Sequence, residues 1–316
     1  MFAVVLALAA SVSWGSADFL GGLTTRRATL WAVVAGSQAV GLAGAALVVL
    51  AVGKGWPGWD ALWPVLAGGL AGSLAIATFY KALAIGTMSV VAPITATSAF
   101  IPLLWGLAGG ERPDTVQLAG VALAVAGVLL ASVERARRGD RVGAGALPGE
   151  PALEPGLPPE PVALGSAPAT AVRVVDPSTQ RRAVLLALLA AVGIGLMLIG
   201  YNETAARTSA AWAMLGGRLS SATFFGLFLL ALRPRLGFAR AAVPGIVAVG
   251  LLDTGANGLF ALATTQGYLS LVAVVGSLYP VVTVVLAYGV LRERLARYQL
   301  VGVIAALAGV ALIAAG

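Results

Sequence analysis

Ten stretches of roughly twenty mostly apolar residues punctuate the chain, near 2–22, 30–52, 64–83, 88–109, 115–133, 183–201, 209–232, 243–265, 268–290 and 298–315. That is the length a helix needs to cross the hydrocarbon core of a bilayer, about 30 Å thick. No water inside that core can satisfy backbone N–H and C=O groups, so each stretch must close its own hydrogen bonds as a helix. Composition points the same way: the chain is 59% hydrophobic and 10% charged, where a soluble domain carries about a quarter charged residues. The expected fold class is an all-α integral membrane protein with ten transmembrane helices. The first stretch has no basic segment before it and is followed by Arg26 and Arg27, so it reads as a retained helix rather than a cleavable signal.

The ten stretches fall into two similar sets of five. Residues 110–131, GERPDTVQLAGVALAVAGVLLA, and 292–313, RERLARYQLVGVIAALAGVALI, are identical at eleven of 22 positions. At a shift of 181 residues, Arg26 meets Arg207, Trp31 meets Trp212, Gly36 meets Gly217, and Phe79, Ala82, Gly86 and Ser89 meet Phe260, Ala263, Gly267 and Ser270. A repeat of this length marks two homologous units, 1–134 and 183–316. Five is odd, so the second unit must enter the membrane from the opposite face, giving an inverted-topology repeat. Between the units, residues 135–182 hold eight of the sixteen prolines. That segment is expected to be a disordered linker.

The chain has no cysteine and no histidine. Thiolate metal sites and disulfides are thereby excluded, as is the usual general base near neutral pH. No cofactor is called for. The net charge of +7 is expected to mark cytoplasmic connections of a membrane protein rather than a nucleic-acid partner.

The motif Glu-Arg, Gln, Gly and Gly-Val at both repeat ends resembles the EamA family of the drug/metabolite transporter superfamily. SVSWGSADFLGG (11–22) is similar to the tryptophan-glycine signature of that family's first helix, and MLGGRLSSATF (214–224) to its second-helix arginine motif. The resemblance implies ten helices in two inverted EamA-like halves and an alternating-access carrier of small metabolites. It implies no particular solute or direction. There are departures: Trp14 faces Gly195 across the repeat, and Arg218 faces Ser37.

Ionisable groups inside membrane helices are costly and mark functional candidates. Arg218 and Asp253 fall at similar depth. Arg218 stays charged and needs an anion, which is either Asp253 in a structural pair or a carboxylate or phosphate of an anionic or zwitterionic solute. With histidine absent, a coupling proton would need a carboxylate. Asp18 has no cation close to it inside its helix and is the candidate; the alternative is that it lines the wet end of the first helix near Arg26. Trp14, Gln38, Tyr80, Thr97, Asn257 and Tyr279 are candidate solute contacts. Pro93, Pro102 and Pro280 lie inside the fourth and ninth stretches, equivalents in the two halves, and are candidate hinges. Glu111 and Arg112 read as stabilisers of a surface turn.

The leading expectation is a secondary-active transporter of a small metabolite or drug-like solute, with export favoured, in the plasma (inner) membrane of a bacterium. Two other classes stay open. A non-transporting scaffold or regulator would show a structured partner-binding loop. A membrane-embedded enzyme would need a catalytic cluster, and no His, Cys or set of carboxylates supplies one. Basic residues concentrate in connections 1–2, 3–4, 5–6, 7–8 and 9–10, against only Lys54, Arg112 and Arg207 in the others. Charge therefore predicts the linker in the cytoplasm and both termini outside. The resemblance favours the reverse orientation, with cytoplasmic termini.

Overall fold

The computed structural model describes residues 1–85, 88–132, 177–291 and 297–316. The helices are α1 (Phe2–Thr24), α2 (Leu30–Val52), α3 (Trp59–Ile85), α4 (Met88–Ala96), α5 (Phe100–Ala108), α6 (Thr115–Ser132), α7 (Pro177–Arg207), α8 (Ala210–Leu232), α9 (Val243–Thr264), α10 (Leu269–Gly276), α11 (Tyr279–Leu291) and α12 (Arg297–Ala315). Eight segments are long and apolar enough to cross a membrane, and Ile94–Ala108 and Thr115–Ala131 are shorter apolar ones. Among the described residues these make ten crossings, the fourth built from α4 and α5 and the ninth from α10 and α11.

The two halves pack by exchanging equivalents. α1 lies on α9 as α3 lies on α7, and α2 on α9 as α3 on α8. Their inversion is visible at α6 and α12, which are repeat equivalents and pack against each other. A side-chain carbon at Gly120 would fall 2.6 Å from the Gly309 carbonyl oxygen, and one at Gly127 would fall 2.7 Å from that of Gly302. As numbering rises along α6 it falls along α12, so equivalent helices run antiparallel. In lipid no hydrophobic force drives helices together, and small residues win by letting backbones touch.

Two of the three prolines lie where a helix is interrupted. Pro280 has no N–H for the Gly276 carbonyl and its ring crowds that group; α10 ends at Gly276 and α11 starts at Tyr279. Pro102 stands in the same relation to Ser98, which lies in a 3₁₀ turn, Thr97–Ala99, between α4 and α5. By contrast α4 runs on through position 93, so no interruption forms there; the Pro93 ring itself is outside the described part.

One boundary needs correction. The expected linker, 135–182, overlaps α7, which begins at Pro177. Proline suits a first helical turn because its missing N–H would have no partner there anyway. Polar Ser178, Thr179, Gln180, Arg181 and Arg182 extend α7 beyond its apolar stretch, which a hydropathy criterion cannot see. The rest of that segment, 135–176, lies outside the described residues, as do Glu293 and Arg294.

Connections 1–2 and 7–8 meet: Thr29 N–H donates to the Gly237 carbonyl at 2.8 Å and Ala239 N–H to that of Arg27 at 3.1 Å. At the other end, a side-chain carbon on Gly267 would fall 2.7 Å from the side chain of Ala3, and Gly316 lies against Asp114 and Gln117. Both termini thus share a face with connections 4–5 and 8–9. α10 begins at that face. All of α10 is buried, and its N-terminus is held by Glu111, whose Oε1 accepts from Leu269 N–H at 2.7 Å and whose Oε2 accepts from Ser270 N–H at 2.9 Å. The carboxylate thus satisfies two of the helix's orphan donors and complements its dipole.

Candidate functional site

Arg218 sits on α8 two turns beyond the Ser209 cap, whose Oγ accepts from Trp212 N–H at 3.3 Å. Gly216 and Gly217 precede it, pressed against Val65 and the Tyr201 hydroxyl, so neighbouring helices close around the arginine. Its side chain is 4% exposed. Nη2 donates to Asp253 Oδ2 on α9, forming an ion pair. Nη1 donates to Gln38 Oε1 on α2 at 3.4 Å, and Ser221 Oγ donates to the same oxygen at 2.9 Å. Asn257, one turn past Asp253, donates through Nδ2 to the Asp253 main-chain oxygen at 2.8 Å. Helices α2, α8 and α9 are tied together at this point. The network is incomplete, because Arg218 Nε and Thr254 Oγ1 are buried with no partner among the described residues.

Asp253 differs from its partner in exposure, with a side chain 37% accessible. Asp18 on α1 is also exposed, yet it stands on the inward face of its helix, in line with buried Ala7 and Ser11. An exposed side chain on an otherwise buried face looks into a hollow. The same hollow explains why a side chain added at Gly21 would meet nothing within 4 Å. Asp18 makes no hydrogen bond or ion pair with the described residues, and it is within electrostatic reach of Asp253 and Tyr279. One turn earlier, Trp14 packs with ring centroids 5.7 Å from Phe260 and 6.4 Å from Tyr279. The interior space is tight at Gly15, against Val282 and the Tyr279 carbonyl, and open at Asp18 and Gly21. It therefore opens towards connections 1–2 and 7–8 and narrows at Gly15, on the side of the termini.

The structure thus gathers Gln38, Arg218, Asp253 and Asn257 into one network, with Asp18, Trp14 and Tyr279 beside it. Thr97 stands apart; its hydroxyl donates to the Ile94 carbonyl of its own turn at 2.6 Å. The Tyr80 side chain lies outside the described part. No ion pair joins Asp18 to Arg26 among the described residues, and both are exposed. Trp56, Trp59 and Trp212 stack edge-on near the terminal face, as an interfacial belt requires. Sequence reading missed Tyr201, Ser221 and the link from Glu111 to α10. A groove of about 600 Å³ between α3 and α8, lined by Leu66, Leu70, Leu219, Phe224 and others, holds no charged group and opens to the lipid side.

A signal for the network was present in the repeat. At the shift of 181, Asp18 faces Ile199, Gln38 faces Leu219, Ser37 faces Arg218, Gly72 faces Asp253, Ile76 faces Asn257 and Leu20 faces Tyr201. The helices are symmetric, and the polar residues sit where the symmetry is broken.

Ten crossings among the described residues, in two inverted halves with an intramembrane charge network between them, define the architecture of a multi-pass membrane transporter. The profile of the EamA-like transporter family matches residues 1–133 and 181–315, and the chain belongs to that family. No curated protein sequence matches the chain. A solved structure titled only as the crystal structure of a protein is 18% identical, covers 98% of this chain and 95% of its own, and superposes with a TM-score of 0.72; it shares the fold.

Proposed function

We propose that the chain is a secondary-active carrier that moves a small anionic or zwitterionic solute by alternating access, in the plasma (inner) membrane of a bacterium. The observation that carries this reading is the buried Arg218 guanidinium, with Nε unpartnered, beside an Asp253 carboxylate that is open to the interior. A guanidinium offers five N–H donors in a planar fork, and Asp253 and Gln38 engage only two of its nitrogens. A solute carboxylate or phosphate entering the hollow can take up the remainder. The interrupted fourth and ninth crossings supply the bending elements that alternating access requires. Proton coupling needs an intramembrane carboxylate, and Asp18 and Asp253 are the two that the described interior offers. Export is the favoured direction, and with the basic connections in the cytoplasm the open face of this conformation is the inner one.

Purified protein in proteoliposomes, assayed for uptake and efflux of a metabolite panel with and without a pH gradient, tests the proposal. Saturable flux abolished by Arg218→Ala is expected. No flux above empty vesicles for any solute, by protein that binds none of them, would overturn it.

A further inference from the structure

Among the described residues, the interior hollow holds one more carboxylate than the ion pair uses. Asp253 is matched by Arg218; Asp18 is matched by nothing among the described residues, although Asp253 lies within its electrostatic reach. With both carboxylates ionised the interior carries one net negative charge. An unpaired charge within the membrane-spanning part of a chain is expensive and calls for a counterion. The walls beside Asp18 are aromatic: Trp14, one helical turn away on the same face, and Tyr279, set at 71° to it, with Phe260 behind Trp14. A carboxylate one helical turn from a ring that packs against a second one suits an ammonium group, because ring faces attract cations.

We propose that Asp18, Trp14 and Tyr279 form a cation subsite that receives an ammonium group of the transported solute. Arg218 and the polar groups around it are then left for the solute's anionic or polar end. This rests on the carrier reading above and narrows its anionic or zwitterionic solute to a zwitterion with a positively charged amine. A purely anionic solute would meet Asp18 as a repelling charge. The ammonium group and a proton compete for the same carboxylate, so loading the amine displaces the proton.

Equilibrium binding to the purified full-length protein separates this proposal from the carrier reading, because no transport is needed to read it. The probes are benzyltrimethylammonium and benzoate, aromatic ions of opposite charge, followed by calorimetry. The wild type is expected to bind the cation about tenfold more tightly than the anion, as fits one charge-assisted contact plus a ring contact. Asp18→Asn is expected to lose that preference, Asp18→Glu to keep it, and Trp14→Ala to weaken cation binding without strengthening benzoate. Equal or tighter binding of benzoate by the wild type overturns the proposal, as does failure of the wild type to bind the cation. Unchanged cation binding by Asp18→Asn also overturns it; if that variant at the same time loses flux driven by a pH gradient, Asp18 is a proton site alone. Saturable flux of an amine-free anion in proteoliposomes would leave the carrier reading standing while the cation subsite fell.

Discussion

Gly120 and Gly309 face each other backbone to backbone, and each would push an added side-chain carbon to 2.6 Å from the other's carbonyl oxygen. The repeat equivalent of Gly120 is Gly302 and that of Gly309 is Gly127, so the 120–309 and 127–302 contacts exchange under the symmetry that relates the halves. Gly127 and Gly302 repeat the contact one heptad along. This seam holds α6 and α12 together away from the polar network.

Gly309→Leu should therefore damage the fold rather than the site. Overpacking a tight contact costs about 1–3 kcal/mol, and here the obstacle is backbone, which cannot rotate aside. Thermal unfolding of the purified protein should show a midpoint several degrees lower. An unchanged midpoint would mean that the seam is looser than described.

The Arg218–Asp253 pair predicts an asymmetry. Asp253→Asn leaves a guanidinium that stays charged and is 4% exposed, and removing one partner of a buried pair costs about 3–5 kcal/mol. Arg218→Gln leaves a carboxylate that is 37% exposed and can be hydrated from the hollow. Asp253→Asn should thus be the less stable variant when unfolding is compared. Equal losses would place both groups in the same environment.

Transport should respond to place rather than to charge. Arg218→Ala is expected to impair flux far more than Arg112→Ala at matched membrane abundance, because Arg112 lies in connection 4–5 outside the network. Equal flux by the two variants would contradict the assignment.

Glu111 supplies two acceptors to the start of α10. Glu111→Ala removes a capping group worth about 1–2 kcal/mol. Hydrogen exchange at Leu269 and Ser270 should accelerate while Arg218 and its neighbours on α8 stay protected. Unchanged exchange at both amides would show that another group caps the helix.

Orientation is testable because the chain has no cysteine. Lys54→Cys lies in connection 2–3 and Leu236→Cys in connection 7–8, both exposed. If basic connections are cytoplasmic, an impermeant maleimide added to intact cells should label the first and spare the second. The opposite pattern would place both termini inside.

The sequence by itself determined the scaffold. Apolar stretches of membrane-spanning length leave the backbone only one way to satisfy itself, and an odd number of crossings per repeat forces inversion; both are local facts that need no partner. Paired glycines at 120, 127, 302 and 309 and the prolines at 102 and 280 were legible for the same reason, since each acts through its own backbone. Tertiary structure alone decided the site. Gln38 meets Arg218 across 180 residues and Glu111 caps a helix 158 residues away, and no spacing rule encodes such distances. Whether Asp18 faces lipid, a neighbour or an open interior depends on which helices surround α1. Its inward position could be read only once α9, α10 and α11 were packed against α1 and left space at Asp18 and Gly21.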